Sequence, residues 1–440
     1  MKSVLVLGAG LVTRPLVQYL LKRGFKVRVA SRTVSKAKKL IGDHPHGEAV
    51  QWTVDKKADL RKMIGEADLA ISLLPASYHP EVAKTCIELG KNMATTSYVS
   101  PAMKALDDPA RKAGIVILNE CGVDPGIDHM SAMRIIHVVE ERGGKVISFM
   151  SYCGGLPAPE ANTNPFGYKF SWSPKGVLLA GKNDGKYRKD GKEIFVPGKD
   201  LFAHHWTIDV PGFGKLEAYP NRDCLGYIDL YGLSGIPTMF RGTLRNRGWC
   251  ETLKAMADLG YLDETEKNWK GKTFADLGWK LLGKKPSGDF RKAFAEKLDI
   301  PPDSFILDNL EWLGLFSDDP LPVEKGGVID IMTARMLEKM PYEPGERDMI
   351  ILYHHFIGEY PGGKKEEITS TLIDYGIPNG DSSMSRTVSL PVAVGARMIL
   401  EGSFEKPGVW VPVIPELYNP ILDELETLGI KCEEKTKAIE

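Results

Sequence analysis

The chain has 440 residues, enough for two or three domains with ample core. At 43% hydrophobic, 26% charged and a formal net charge of −1, it reads as an ordinary soluble globular protein with no electrostatic case for nucleic acid or an anionic membrane. No apolar run approaches a spanning helix, and the N-terminal one is cut by glycine too early for a signal peptide. Cysteines 86, 121, 153, 224, 250 and 432 show no CxxC spacing, so reduced thiols in a cytoplasmic protein are expected.

Ser3-Val4-Leu5-Val6-Leu7 predicts a short β-strand, broken by Gly8-Ala9-Gly10. Leu16, Val17, Leu20 and Leu21 then fall on one helix face, and residues 25–30 predict a parallel strand ending in Ser31-Arg32-Thr33. A strand, a glycine turn, a helix and a parallel strand let a pyrophosphate approach the backbone and sit on the helix N-terminus. The motif is Gly8-x-Gly10-x-x-Thr13, with threonine where a third glycine would pack helix against strand. An NAD site places Asp or Glu at the end of the second strand; here Arg32 stands between Ser31 and Thr33, with Lys36 one turn on. A guanidinium and two hydroxyls suit a 2′-phosphate that a carboxylate would repel, so the expected cofactor is NADP(H).

The alternation continues with a strand at 68–74, a helix at 81–89, a strand at 92–97, a helix at 101–113 and a strand at 115–119. That pattern predicts an α/β fold, a Rossmann-type doubly wound parallel sheet whose strand C-termini share one edge. On that edge fall Gly8, Ser31, Arg32, Leu74, Pro75, Thr96, Ser97, Tyr98, Glu120 and Asp124, with Leu74 assigned to the cofactor. A helix at 128–141 and a strand at 145–153 follow, and short β-like runs rich in Gly, Pro and aromatics continue to about 245. These suit an α+β substrate domain with an antiparallel or mixed sheet. Helical periodicity returns at 251–259, 274–282, 290–298, 305–313 and 328–340, reading as a mainly helical insertion. Strands at 349–357 and 368–375 and helices at 388–400 and 420–428 complete the chain. The expected domains are 1–125, completed by about 390–440, for the nucleotide; 126–248 with about 341–389 for substrate; and 249–340 as the helical domain.

Thr95-Thr96-Ser97-Tyr98 ends a strand on the crevice edge, where its hydroxyls either donate to a substrate carboxylate or satisfy nearby backbone. Cys121 to His129 is a sharp turn into a helix: Asp124 either meets a substrate amine or, like Asp128, caps that helix. Asp124 and Tyr98 are the two groups nominated for acid–base work. Cys153, before Gly154-Gly155, lies where a ligand or backbone approaches closely. The loop from Lys169 to Gly176 mixes aromatics, hydroxyls and lysine, and Arg222, Arg241 and Arg245 sit beside turns, together suggesting an acidic substrate. His204-His205 and His354-His355 lack ligand spacing, so no metal site is expected.

The stretches GAGLVTRP, ASRT, SLLPASYH, TTSYVSPAM, NECGVDPGIDH, SYCGGLPAPE, NPFGYKFSWSPKGV, AYPNRD, RGTLR and MPYEPGERD together resemble the saccharopine dehydrogenases of the NADP-dependent, L-glutamate-forming type, the saccharopine reductases. The resemblance runs from residue 1 nearly to the C-terminus, with most departures in the helical region. It implies condensation of L-2-aminoadipate 6-semialdehyde with L-glutamate and reduction of the imine by NADPH, in lysine metabolism. By motif it places Ser97, Tyr98, Asp124, Cys153, Arg222 and Thr243 at the substrate, and Gly10, Leu11, Val12, Ser31, Arg32, Thr33, Trp172, Ser173 and Lys175 at the cofactor. Small-molecule substrates are the expected partners, with a homodimer as the assembly. Two other readings stand beside it: a related imine reductase such as carboxynorspermidine synthase, and an NADP-binding sensor without turnover.

Overall fold

The computed structural model describes residues 1–440. It divides into two compact units, Met1–Val146 with Gly358–Glu440, and Ile147–Ile357. The first opens with β1 (Ser3–Leu7), α1 (Arg14–Lys22), β2 (Lys26–Ser31), α2 (Val34–Ile41), β3 (Gly47–Gln51) and α3 (Lys57–Gly65). It continues through β4 (Leu69–Ser72), α4 (His79–Leu89), β5 (Asn92–Thr95), α5 (Pro101–Lys104), α6 (Asp107–Ala113), β6 (Val116–Leu118) and α7 (Ile127–Glu141). The second unit takes β7 (Lys145–Pro157), α8 (Pro174–Ala180), β8 (Gly185–Lys189), β9 (Lys192–Val196), β10 (Trp206–Val210), β11 (Gly214–Pro220), α9 (Gly226–Leu230) and β12 (Thr238–Arg245). Its later part holds α10 (Trp249–Leu259), β13 (Lys267–Asn268), α11 (Phe274–Leu282), α12 (Phe290–Leu298), α13 (Phe305–Trp312), β14 (Lys325–Gly326), α14 (Val328–Lys339) and β15 (Asp348–Glu359). The chain then returns to the first unit with β16 (Lys365–Tyr375), α15 (Ser383–Glu401), β17 (Gly408–Trp410), α16 (Pro415–Thr427) and β18 (Glu433–Ile439).

The first unit is built on a seven-stranded sheet in the order β17-β6-β5-β4-β1-β2-β3, parallel throughout. Its central strands β1, β4, β5 and β6 are mostly short runs of Val, Leu, Ile, Ala and Met because helices cover both faces, and Val4 to Leu7 are fully buried. One face packs Leu5, Leu7, Ala70, Met93 and Ile117 against Leu60, Ile64, Val82, Cys86 and Ala110 from α3, α4 and α6. α15 lies against β4, β5 and α1. Leu7 pairs in register with Ala30 on one side and Ser72 on the other, so β1, β2 and β4 finish at one edge. The strand order reverses between β1 and β4, the switch point beside which such sheets bind ligands.

Two local differences from the sequence expectation have physical causes. The helix expected over 101–113 is two, α5 and α6, because Pro109 has no amide proton and its ring would clash with the carbonyl four residues back. Residues 34–66, left without predicted elements, fold as α2, β3 and α3. In the second unit the strands run β10-β11-β12-β7-β15, with the β8–β9 hairpin attached at β12. β11 is antiparallel to β12 and β12 is parallel to β7, the mixed sheet that the short β-like runs predict. The helices of 249–340 belong to this unit, whereas α7 belongs to the first.

Gly8 ends β1 at φ +114°, and an added Cβ there would stand 3.0 Å from the Leu73 carbonyl oxygen. Gly8→Ala is therefore expected to destabilise the protein by about 1–3 kcal/mol. Urea denaturation checks this; an unchanged midpoint would mean the turn relaxes without strain.

Candidate functional site

The glycine turn after β1 closes on itself. The Gly10 amide donates to Thr13 Oγ1 at 3.1 Å, and the Thr13 amide donates to the Gly10 carbonyl at 3.3 Å. Thr13 is fully buried, so it fills the place of the missing third glycine while tying the turn to the start of α1. Gly10 itself faces open space, with no atom within 4 Å of where a Cβ would be. A side chain there would occupy the volume in front of the α1 N-terminus, the cradle a pyrophosphate uses. Leu11 beside it is 68% exposed and Val12 half-buried. At the end of β2, Ser31 Oγ accepts from the Thr33 amide, and Thr33 precedes α2. Arg32 is exposed and makes no ion pair, so its guanidinium is open to an anion. Leu74 follows β4 on the same edge, half-buried.

Further along that edge the structure joins two of the nominated residues. Tyr98 Oη donates to Asp124 Oδ1 at 2.9 Å. Both are half-buried, and Asp124 precedes the cis bond to Pro125. Their loops are held by Glu120, a residue in the left-handed region at φ +52°. Its amide donates to the Ser97 carbonyl at 3.1 Å, Oε1 accepts from the Val99 amide at 2.8 Å, and Oε2 lies 2.8 Å from His129 Nε2. Asp128 Oδ1 accepts from the Gly126 amide, so Asp128 ties down the turn from within the first turn of α7, whereas the N-cap position is Gly126 and neither Asp124 nor Asp128 caps the helix by its side chain. Ser97 Oγ meets His79 Nε2 at 2.8 Å, and His79 Nδ1 meets Ser72 Oγ at 2.9 Å. Sequence reasoning placed Glu120 only on the sheet edge and did not mark His79, a histidine in the first turn of a helix after a proline-bearing loop.

In the second unit, Cys153 of β7 and Thr243 of β12 are register partners, as are Thr243 and Tyr219 of β11. These three therefore form one row across three strands, on one face. Cys153 is buried and Tyr219 more deeply so, its phenol pushed up to about 12 by desolvation. Gly154 lets β7 pass β12 closely, since a Cβ would come 2.7 Å from Leu244. Arg222 is exposed, at φ +62°, and its carbonyl accepts from the Lys186 amide, while Asp223 Oδ1 accepts from the Leu225 amide. Trp172 Nε1 donates to Tyr168 Oη at 3.2 Å, and Ser173 Oγ caps α8 through the Gly176 amide. Lys175 is ion-paired with Asp330 at 2.6 Å, which with the Gly327 amide holds that carboxyl below its usual range.

Potential metal ligands also meet: His205, Glu217 and Glu251 place one donor atom each within 4.8 Å of one another. Both Glu217 oxygens already accept amides at the start of α10, from Gly248 at 2.7 Å and Cys250 at 3.1 Å, a helix-capping arrangement.

A parallel sheet of this order, with a glycine turn at its central strand and an open cradle before α1, defines a dinucleotide-binding α/β protein. Residues 4–118 match the model for the saccharopine dehydrogenase NADP binding domain, and residues 122–430 the saccharopine dehydrogenase C-terminal domain. The chain belongs to the saccharopine dehydrogenase family. It is 42% identical to the saccharopine dehydrogenase (NADP(+), L-glutamate-forming) of Schizosaccharomyces pombe, over 99% of both chains. It is 39% identical to the mitochondrial alpha-aminoadipic semialdehyde synthase of Mus musculus, covering 98% of this chain and 47% of that one. Among solved structures it superposes on the apo saccharopine dehydrogenase (L-Glu forming) of Saccharomyces cerevisiae with a TM-score of 0.90, at 40% identity, covering 99% of this chain and 100% of that one.

Burial gives His79 a measurable signature. Desolvation lowers its pKa from 6.5 to about 4. Between those values the unfolded chain binds the proton more readily, so stability falls as pH drops through this window, with a contribution on the order of 3 kcal/mol. Urea titrations from pH 7 to 4 should show that decline, and His79→Gln should be less pH-dependent. Equal slopes for the two proteins would remove His79 as a cause.

Proposed function

We infer that this protein is an NADP-dependent, L-glutamate-forming saccharopine dehydrogenase, an oxidoreductase of lysine metabolism. It condenses L-2-aminoadipate 6-semialdehyde with L-glutamate and reduces the resulting imine to saccharopine, reversibly. The observation that carries this is the end-to-end match to the fungal enzyme of that name, 42% identical over 99% of both chains. The cofactor is NADP(H), supported by the family model over residues 4–118 and by Arg32, whose guanidinium makes no ion pair. When bound, NADPH supplies a hydride for the imine carbon.

The site residues belong to the same proposal. Gly8, Gly10, Leu11 and Val12 form the pyrophosphate cradle, Ser31, Arg32 and Thr33 take the 2′-phosphate, and Leu74, Trp172, Ser173 and Lys175 complete the cofactor contacts. Ser97, Cys153, Arg222 and Thr243 hold the substrate, with arginine and hydroxyls suited to its carboxylates. Asp124 engages the reacting nitrogen, and the bond from Tyr98 Oη supports assigning that pair to proton handling, since it sets the carboxylate's direction and places a second proton carrier against it. The protein's main contribution is alignment, holding the imine carbon against the nicotinamide. The reading extends to a homodimer acting in the cytoplasm on small molecules. No helix is long and apolar enough to cross a membrane.

The experiment is NADPH oxidation with the semialdehyde plus glutamate, beside the semialdehyde plus a diamine. Turnover with glutamate is expected; turnover with the diamine alone would point to a carboxynorspermidine synthase-like reaction, and binding without turnover to a sensor. Arg32→Asp should weaken NADPH roughly ten- to a hundred-fold while sparing NADH, the loss of one charge-assisted phosphate contact of about 1.5–3 kcal/mol. Equal affinity of the unmodified protein for both cofactors would overturn the role of Arg32.

A further inference from the structure

Ser72 and Thr95 are the last residues of neighbouring strands β4 and β5 and pair in register. The ring of His79, from the first turn of α4, lies across these two strand ends. Its Nδ1 is 2.9 Å from Ser72 Oγ, and its Nε2 is 2.8 Å from Ser97 Oγ and 3.3 Å from Thr95 Oγ1. Ser72, His79 and Thr95 are all at least 98% buried, whereas Ser97 is half-buried at the open edge. The chain of groups therefore starts in the core and ends at one hydroxyl on the ligand-binding side of the sheet.

We propose that His79 is a positioning residue for substrate recognition, fixing Ser97 as a hydrogen-bond donor toward a substrate carboxylate. The proposal rests on the reading of Ser97 as a substrate contact. It rests on this contact geometry and on one assignment of the ring proton. The Ser72 hydroxyl is fully buried, and His79 Nδ1 is its side-chain partner. A buried hydroxyl proton needs an acceptor, so it goes to Nδ1. The neutral ring then carries its own proton on Nε2, shared between the Ser97 and Thr95 oxygens. Thr95 Oγ1 also accepts from the Ser97 amide at 3.4 Å, which fixes the backbone of the same residue. With its oxygen accepting from His79, Ser97 keeps its own proton for a ligand that can only accept, and a carboxylate is such a ligand. The opposite tautomer would spend the Ser97 proton on Nε2 and leave the Ser72 proton without that acceptor, while giving one to the equally buried Thr95 hydroxyl; the tautomer is therefore part of the proposal, and the ring spectrum below decides it. Burial keeps the ring neutral above about pH 4, so the arrangement holds at working pH.

The test is a double-mutant cycle on the full-length protein with NADPH, the semialdehyde and glutamate. Ser97→Ala should raise the KM of one carboxylate substrate about tenfold, the size of one hydrogen bond to a charged group, with kcat and the Kd for NADPH little changed. His79→Ala should reproduce that rise, and the double variant should be no worse than Ser97→Ala alone. His79→Gln, whose amide nitrogen can reach the place of Nε2, should restore most of the affinity. Should His79→Ala not fold, Ser72→Ala serves instead, with an intermediate KM that disappears in the Ser97→Ala background. Additive losses, from either variant, would overturn the proposal. So would a nitrogen-15 spectrum of the ring with the proton on Nδ1. Wild-type KM in Ser97→Ala, with NADPH oxidation intact in the unmodified protein, would instead remove Ser97 from the substrate site and the proposal with it.

Discussion

Parallel pairing obliges every strand of the first unit to finish on the same side of its sheet, and the placement of the site in that unit depends on this. Because β1 pairs with β2 on one flank and β4 on the other, backbone pairing alone brings the glycine turn, the Ser31-Arg32-Thr33 corner and the loop after β4 together as neighbours. The cost is an edge where strands end and backbone groups need new partners. Those needs are met by side chains: Thr13 takes the Gly10 amide, Glu120 the Val99 amide, and Thr95 the Ser97 amide. The same residues that complete the backbone thereby set the directions of the groups facing a ligand.

In the second unit, position is set by register instead of strand ends. Cys153, Thr243 and Tyr219 line up because three strands carry them at matching heights, and Gly154 permits the close passage that keeps the row tight. Lys175 and Ser173 stand at the start of α8, one paired with Asp330 and the other capping the helix, so both have structural duties beside any ligand role.

Much of the fold was legible because its period is strong. Helices α11 and α12 fall on the residues their apolar spacing marks, Phe274–Leu282 and Phe290–Leu298. Where local signals conflict, legibility fails. α15 begins at Ser383 although three serines, a threonine and a valine, weak helix formers by propensity, occupy five of its first seven positions; Ser382 Oγ, accepting the Ser385 amide, supplies the start, and burial of nearly every residue holds the rest. The three-residue β17 carries too few residues for a period to show. Among functional groups, Arg32 could be read because its meaning follows from its place after a strand. His79 and Glu120 could not, since their partners lie between 7 and 23 residues away in the chain and are assembled only by the packed loops.

The seventh strand of the nucleotide-binding sheet has a temporal consequence. β17 pairs with β6 through hydrogen bonds from Gly408 to Ile115 and from Asn119 to Trp410, so residues near 408 close a sheet whose other six strands end by residue 118. A chain emerging from a ribosome has every residue of Ile147–Ile357 available while the first unit still lacks Gly358–Glu440. Until those last residues emerge, β6 remains an unpaired edge, the kind of exposed strand that invites association with other chains. Vectorial synthesis thus completes the interrupted unit only after Ile147–Ile357 has emerged, although its first strands are made earlier, a departure from the usual order in which domains fold as they are synthesised.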